Sequence, residues 1–505
     1  MAIEPTLQKV RDHARETALL SSINGLVEWD EQTHMPPAAA EWRAEQQAYL
    51  AGQIHKRSVD PRLGEWLGEL RDSPEAADGA GDVGCVAREM SRVYDRQTKL
   101  SPELVEEVAR VASQAHHAWV AARKADDFKT FAPVLERMLG LQRERAEAFG
   151  YTDSPYDALL DEFEPGETGD AVGATLTALR DELSGFVKEI VDSGVKAPSE
   201  ITRRSFPIDD QSAFGRMAAE KIGFDFAAGS LDIAPHPFCG DAGPRDVRLT
   251  TRYQENEFAD AFFSTLHEAG HGLYEQGLPA DWFGLPQGTA ISLGIHESQS
   301  RMWENLVGRS RGFWRHFFPR ACEAFPEPLA GVEPDTWWFA INEVTPSLIR
   351  VDSDEATYNL HIVVRYELER AMIEGDLAVA DLPGAWNEAY TKTVGITPPN
   401  DADGCLQDVH WSMGAIGYFP TYALGNLYAS QLFEQATEDL GDLEASFAEG
   451  DFTPLLGWLR EKVHSVGQRL TASQLVEQVT GKPLSAEPLM RHLRGKFGPL
   501  YGLGG

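Results

Sequence analysis

The stretch His267-Glu268-Ala269-Gly270-His271 constrains this chain more than any other. Residues four apart on a helix share a face, so His267 and His271 can each offer an imidazole nitrogen to one metal ion. Glu268 leaves the same turn and can stand beside a water at that metal. Phe258, Phe262, Leu266, Ala269 and Leu273 recur at helical spacing, and Gly277 and Pro279 stop the pattern, so the spacing predicts a helix. Gly270 and Gly272 are poor helix residues, each costing about 1 kcal/mol against Ala. Their smallness suggests that another backbone or a substrate comes close beside the second histidine. Two neutral imidazoles, a carboxylate and a water suit Zn²⁺. Two core or surface histidines four apart would look the same, and the rest of the chain has to decide.

A catalytic zinc takes three protein ligands and keeps one position open. The segment Ile295 to Arg301 offers Glu297, 26 residues past His271, a spacing that lets a second helix fold back beside the first. Glu297 with Arg301 one turn on reads equally well as an ordinary ion pair. His296 competes for the metal, but it points about 100° away from Glu297 on the same helix, so only one of the two is expected to reach it. At such a site zinc acidifies water and polarises a carbonyl. Glu268 then takes the water's proton as general base and passes it to the leaving amine. The developing oxyanion needs donors besides the metal. The combination describes peptide-bond hydrolysis.

Most of the chain reads as helix: Thr6 to Val27, Ala38 to Ser58, Val86 to Lys99, Pro102 to Lys124, Phe131 to Phe149 and Ala171 to Ser193. Phe206 to Tyr253 breaks the pattern with glycines, prolines and short alternating runs, notably Asp246 to Tyr253, and is the expected strand region. No repeat or clear linker interrupts the rest. The expectation is one mainly α domain over 1–505, with an N-terminal helical layer (1–166), a catalytic core (206–430) and a small β region before the metal-binding helix. The net charge of −34 disfavours nucleic acid and anionic membranes as partners. Four cysteines without C-x-x-C spacing indicate neither a zinc ribbon nor a redox pair. Met1 to Leu20 lacks an apolar core of the signal-peptide kind, and no run of about 18 apolar residues occurs, so a soluble cytoplasmic protein is expected.

Several further motifs stand in order along the chain. His236-Pro237-Phe238, Asp246-Val247-Arg248-Leu249-Thr250, His267 to His271 and His296-Glu297-Ser298-Gln299 are followed by Ile349-Arg350-Val351-Asp352-Ser353-Asp354 and Gly404 to Trp411. With them the chain resembles the carboxypeptidase Taq family of zinc metallocarboxypeptidases over nearly its whole length. Trp29-Asp30 to Pro36 and Leu159-Leu160-Asp161 to Gly166 are also similar. Ser353 departs from the family, which prefers Ala there, and leaves Arg350 in place.

The resemblance implies a large, helical, groove-shaped metallopeptidase fold like that of neurolysin and angiotensin-converting enzymes, usually as a homodimer. It implies that His267, His271 and Glu297 bind the metal and that Glu268 is the base. It implies removal of single residues from the C-termini of short peptides, with broad specificity and poor acceptance of proline, and with Co²⁺ able to replace Zn²⁺. Arg350 would grip the free carboxylate by a bidentate contact that Lys cannot reproduce. His410 and Tyr422 would hold substrate and stabilise the oxyanion, with Tyr418 as the competitor. His236, Asp246 and Arg248 would shape the far end of the groove and limit substrate length. The rival readings are an oligopeptidase or dipeptidyl carboxypeptidase on the same metal site, and a peptide-binding protein without catalysis. A metallo-aminopeptidase fits poorly, because Met302-Trp303-Glu304-Asn305 lies downstream of the histidine pair.

Overall fold

Helix starts are written locally in this chain. Asp60, Ser101 and Ser154 each precede a proline and accept a hydrogen bond from a first-turn backbone N–H, opening the helices Pro61–Arg71, Pro102–Ala125 and Pro155–Leu160. Such caps contribute about 1 kcal/mol each, and proline at the first position loses no helical hydrogen bond. In the computed structural model, which describes residues 3–503, helices dominate and one small three-stranded sheet is present.

The chain groups into two compact units, each built from separate segments. The first contains the residues up to Gln97, Pro198–Ile341 and Leu432–Gly481. The second contains Thr98–Ala197, Asn342–Gln431 and the residues from Lys482 onward. The expected N-terminal layer, 1–166, therefore contributes to both.

The centre of the first unit is the helix Phe258–Glu275. Phe258 and Phe262 stack with ring centroids 5.3 Å apart, inside a buried aromatic group that includes Phe206, Phe214, Phe325 and Trp337. Burying each such ring contributes about 2–3 kcal/mol, which holds this helix firmly. One side of it meets the helix Ile208–Ile222. The sequence pattern there suggested strands; a helix forms because Phe214, Ala218 and Ile222 share a face that packs inward. Another side meets the sheet, in which β1 (Gly229–Ile233) runs parallel to β3 (Val247–Thr251) and β2 (Cys239–Asp241) antiparallel to it. β3 is central and is tied to the helix by Thr251 Oγ1, 3.0 Å from Ser264 Oγ.

The second unit is organised by the helix Tyr358–Glu374, which is buried on almost every face. Asn359, His361, Arg365 and Glu369 lie inside it without exposure. His361, Arg365 and Glu369 are spaced four apart and form a buried polar stripe on one face. Each buried polar group must find a partner or cost about 1–3 kcal/mol, and the partners found here shape a candidate site.

Candidate metal centre and active site

The helix Phe258–Glu275 presents His267 and His271 on one side. Ser292 caps the next helix, Leu293–Arg301, by accepting a hydrogen bond from Ile295 N–H. This second helix lies against the first at Gly270, where a Cβ would stand 2.6 Å from both Gln299 O and Ser300 Cα. The small residue beside the second histidine thus admits a neighbouring backbone. That contact brings Glu297 to the histidine pair.

The geometry fits a metal. Glu297 Oε2 lies 3.7 Å from His267 Nε2 and 3.5 Å from His271 Nε2. These distances are long for hydrogen bonds. They suit ligands sharing one tetrahedral zinc, which stand about 3.4 Å apart when each bond is about 2.1 Å. Atoms of His267, His271 and Glu297 all lie within 4.8 Å of one another. The other ends of the three side chains are anchored. His267 Nδ1 meets Glu304 Oε2 at 2.9 Å, and Glu297 Oε1 accepts from Arg301 Nε at 2.7 Å. Arg301 also donates to Glu304 Oε2, so one guanidinium braces both carboxylates. Glu304 reaches His267 from a turn of π-helix, Met302–Val307, that widens the end of the second helix. His296 is not in the ligand set. Its Nδ1 lies 2.5 Å from His271 Nδ1, and its Nε2 lies 2.7 Å from Glu275 Oε1.

Electrostatics separate the carboxylates. Burial opposes the charge of Glu297, but Arg301 and the two histidines outweigh it and hold its pKa far below the usual carboxylate range. Glu304 is held down to about 2 in the same way, by Arg301 and His267 against burial. Glu268 is different: burial pushes its pKa up to about 7, with His267 opposing and the Glu297 charge adding. A carboxylate poised near neutral pH has the character of a general base.

A second cluster forms within the other unit. Asp408 Oδ1 accepts from Arg350 Nε at 3.0 Å and Nη2 at 2.9 Å, while Oδ2 accepts from Arg365 Nε at 2.6 Å. Arg350 Nη1 reaches the Tyr358 hydroxyl at 3.1 Å. Two buried guanidiniums share one carboxylate, and Arg365 Nη2 has no hydrogen-bond partner among the described residues. Burial works against the charge of both arginines and prevails at Arg365, whose pKa is lowered. At Arg350, Tyr358 and Asp408 outweigh burial and raise it. His410 Nε2 lies 3.5 Å from the Tyr422 hydroxyl, and burial lowers the His410 pKa to about 4, so the imidazole is neutral near pH 7. Tyr418 also packs beside His410, with ring centroids 5.4 Å apart, but its ring is taken up edge-on by Phe163. Glu369 sets the loop that carries His410: its carboxylate accepts from Tyr156 hydroxyl, Trp411 Nε1 and Gly417 N–H.

His236, Asp246 and Arg248 belong to the sheet region of the first unit: Arg248 is on β3, Asp246 immediately precedes that strand, and His236 lies in the turn between β1 and β2. Asp246 and Arg248 form a two-bonded ion pair at 2.8 and 3.0 Å, and the Arg248 guanidinium stands 4.2 Å over the Trp29 ring. Thr250 Oγ1 accepts from Phe238 N–H, and Thr250 N–H returns a bond to Phe238 O. The two motifs containing these residues therefore bind each other. His236 is exposed at their edge.

Known proteins share this fold. Residues 9–497 match the family described as carboxypeptidase Taq (M32) metallopeptidase. The chain belongs to that family. It is 45% identical to thermostable carboxypeptidase 1 of Thermus thermophilus, covering 99% of this chain and all of that one. It is 37% identical to carboxypeptidase 1 of Bacillus subtilis, over 94% and 95% of the two chains. The crystal structure of the M32 carboxypeptidase from Deinococcus radiodurans R1 superposes with a TM-score of 0.94 at 42% identity, covering 99% of this chain and 100% of that one. As a carboxypeptidase Taq family member this protein is a metallocarboxypeptidase with a mainly helical fold. No helix among the described residues is long and apolar enough to cross a membrane.

Some residues of these two clusters escaped sequence reasoning. Glu304 and Glu275 were not singled out, nor were Arg365 and Glu369. The spacing Glu297, Arg301, Glu304 places all three near one helix face and is a usable signal. The same holds for the four-residue steps from His361 to Glu369. Gly270 makes the packing of the metal helix testable. Gly270→Ala drives a Cβ into backbone that cannot rotate away, so the Glu297 helix must shift. We expect a loss of about 1–3 kcal/mol in stability and zinc binding weaker by about tenfold or more. Thermal unfolding and chelator competition read both, and unchanged values would show that Gly270 does not set the position of Glu297.

Proposed function

We propose that this protein is a zinc-dependent metallocarboxypeptidase that releases single C-terminal residues from short peptides, with broad specificity and poor acceptance of proline. His267, His271 and Glu297 hold the metal, and cobalt can substitute for zinc. The metal, when bound, supplies Lewis acidity that makes water nucleophilic near neutral pH and polarises the scissile carbonyl. Glu268 takes the proton from the attacking water and delivers it to the departing amine. Tyr422 and His410 donate hydrogen bonds to the developing oxyanion. Arg350 binds the terminal carboxylate of the substrate.

The observation that carries the exopeptidase reading is the charge balance at Asp408. Two buried guanidiniums face one carboxylate, and Arg365 retains an uncommitted N–H group. A buried site with one positive charge in excess favours an incoming carboxylate, and a free C-terminus is the one carboxylate every peptide carries. Asp246 and Arg248, locked to each other over Trp29, and the turn that carries His236 limit substrate length. Homodimeric assembly and action in the cytoplasm belong to the same reading.

The test is a five-residue peptide offered as free acid and as C-terminal amide to the zinc-loaded protein, with products followed by mass spectrometry. Single residues are expected to leave the free acid alone, and a chelator is expected to stop the reaction. Internal or dipeptide cleavage of both forms would make it an oligopeptidase. No cleavage with any metal would make it a binding protein.

A further inference from the structure

His296 neighbours a proposed metal ligand without joining the ligand set, and its partners fix the direction of every hydrogen bond around it. A metal on His271 Nε2 takes that nitrogen's lone pair, so the neutral ring carries its proton on Nδ1. His271 Nδ1 lies 2.5 Å from His296 Nδ1. The ring centroids are 4.6 Å apart with planes inclined by 35°, an edge-to-edge approach that aims the N–H at its neighbour. His296 Nδ1 must then accept, so its own proton sits on Nε2. That nitrogen lies 2.7 Å from Glu275 Oε1, and a carboxylate accepts. Only one proton arrangement satisfies all three groups. It runs from Glu275 through His296 to His271 and leaves His271 Nε2 bare.

We propose that His296 and Glu275 form a two-step relay that orients His271 and fixes the tautomer in which it binds the divalent metal. They are positioning residues. They stand outside the ligand set and act through His271. The other histidine is served differently: His267 Nδ1 meets the Glu304 carboxylate directly. His271 has a neutral imidazole as its immediate partner, with the carboxylate one ring further out. Glu275 ends the same helix that carries both histidines and lines a cavity of about 550 Å³ within this unit. The relay thus joins two helices through side chains as well as through the Gly270 contact.

The proposal rests on the metal-site reading of His267, His271 and Glu297, and the test separates the two. Apo protein of the full chain is titrated with Zn²⁺ against a chromophoric chelator, and with Co²⁺ by visible absorption. His296→Leu removes the acceptor and leaves the His271 N–H unpaired. His296→Asn places an amide oxygen where Nδ1 stood, so it still accepts from His271 and gives up Glu275. We expect His296→Leu to raise the zinc dissociation constant by about 10–100-fold and to alter the Co²⁺ spectrum. His296→Asn should stay within about threefold of wild type, because it preserves the acceptor. Zinc affinity unchanged in His296→Leu would overturn the relay, as would equal weakening in both variants. Wild-type protein that binds neither metal at one equivalent would overturn the metal-site reading and the relay together. Unfolding of the apo variants checks that weakened binding is not a collapsed fold.

Discussion

Glu268→Gln is expected to lower kcat by about 10²–10⁴-fold and to leave one equivalent of metal bound. The exchange keeps the shape and the hydrogen-bonding oxygen of the side chain and removes its ability to take a proton. The neighbouring glutamates are already committed. Glu297 is engaged by Arg301 and Ser300, Glu304 by Arg301 and His267, and Glu275 by His296. No hydrogen bond from the described residues engages the Glu268 carboxylate, although the residue is 6% exposed. An uncommitted carboxylate beside the histidine pair, with its pKa pushed up by burial, is built to exchange protons. Metal content by elemental analysis and single-turnover rates on a free-acid peptide decide the matter. Wild-type turnover in Glu268→Gln would remove this residue as the base. Loss of both metal and turnover would instead make Glu268 part of the metal-holding framework.

The metal helix was legible because two periodicities agree on it: the apolar residues from Phe258 to Leu273 define the buried face, and the two histidines four apart define the other. The helix Ile208–Ile222 was hidden by Asp209, Asp210 and Gly215, which dilute the apolar pattern, although Phe214, Ala218 and Ile222 preserve its step. The step of about 100° between His296 and Glu297 leaves room for only one of them at the metal and does not say which. What His296 meets depends on packing, because His271 Nδ1 comes within reach only through the close helix contact at Gly270. Asp408 lay inside a recognisable motif, but its second guanidinium is 43 residues upstream, on the helix Tyr358–Glu374. Pairings of that kind depend on tertiary packing and leave no local periodicity. The division into two units from interleaved segments is invisible for the same reason.

Arg350→Lys is expected to lower kcat/KM for free-acid peptides by about 10²–10³-fold, the consequence of losing about 3–4 kcal/mol from a buried, hydrogen-bonded charge pair. Charge is conserved in this variant, so the loss measures geometry. The guanidinium now spans Asp408 with Nε and Nη2 and Tyr358 with Nη1. A lysine offers one ammonium where this arrangement uses a planar fork, and it cannot meet Asp408 and a substrate carboxylate in the same directions. Any residual activity on C-terminal amides should be almost unchanged, so the acid-to-amide selectivity ratio falls with kcat/KM. Asp408→Asn provides the complementary result. It leaves two buried guanidiniums without their shared anion, so it should cost stability and loosen Arg350, raising KM for free acids more than it lowers kcat. If Arg350→Lys slowed acid and amide peptides by the same factor, Arg350 would be a structural partner of Asp408. Recognition of the peptide terminus would then have to come from other groups.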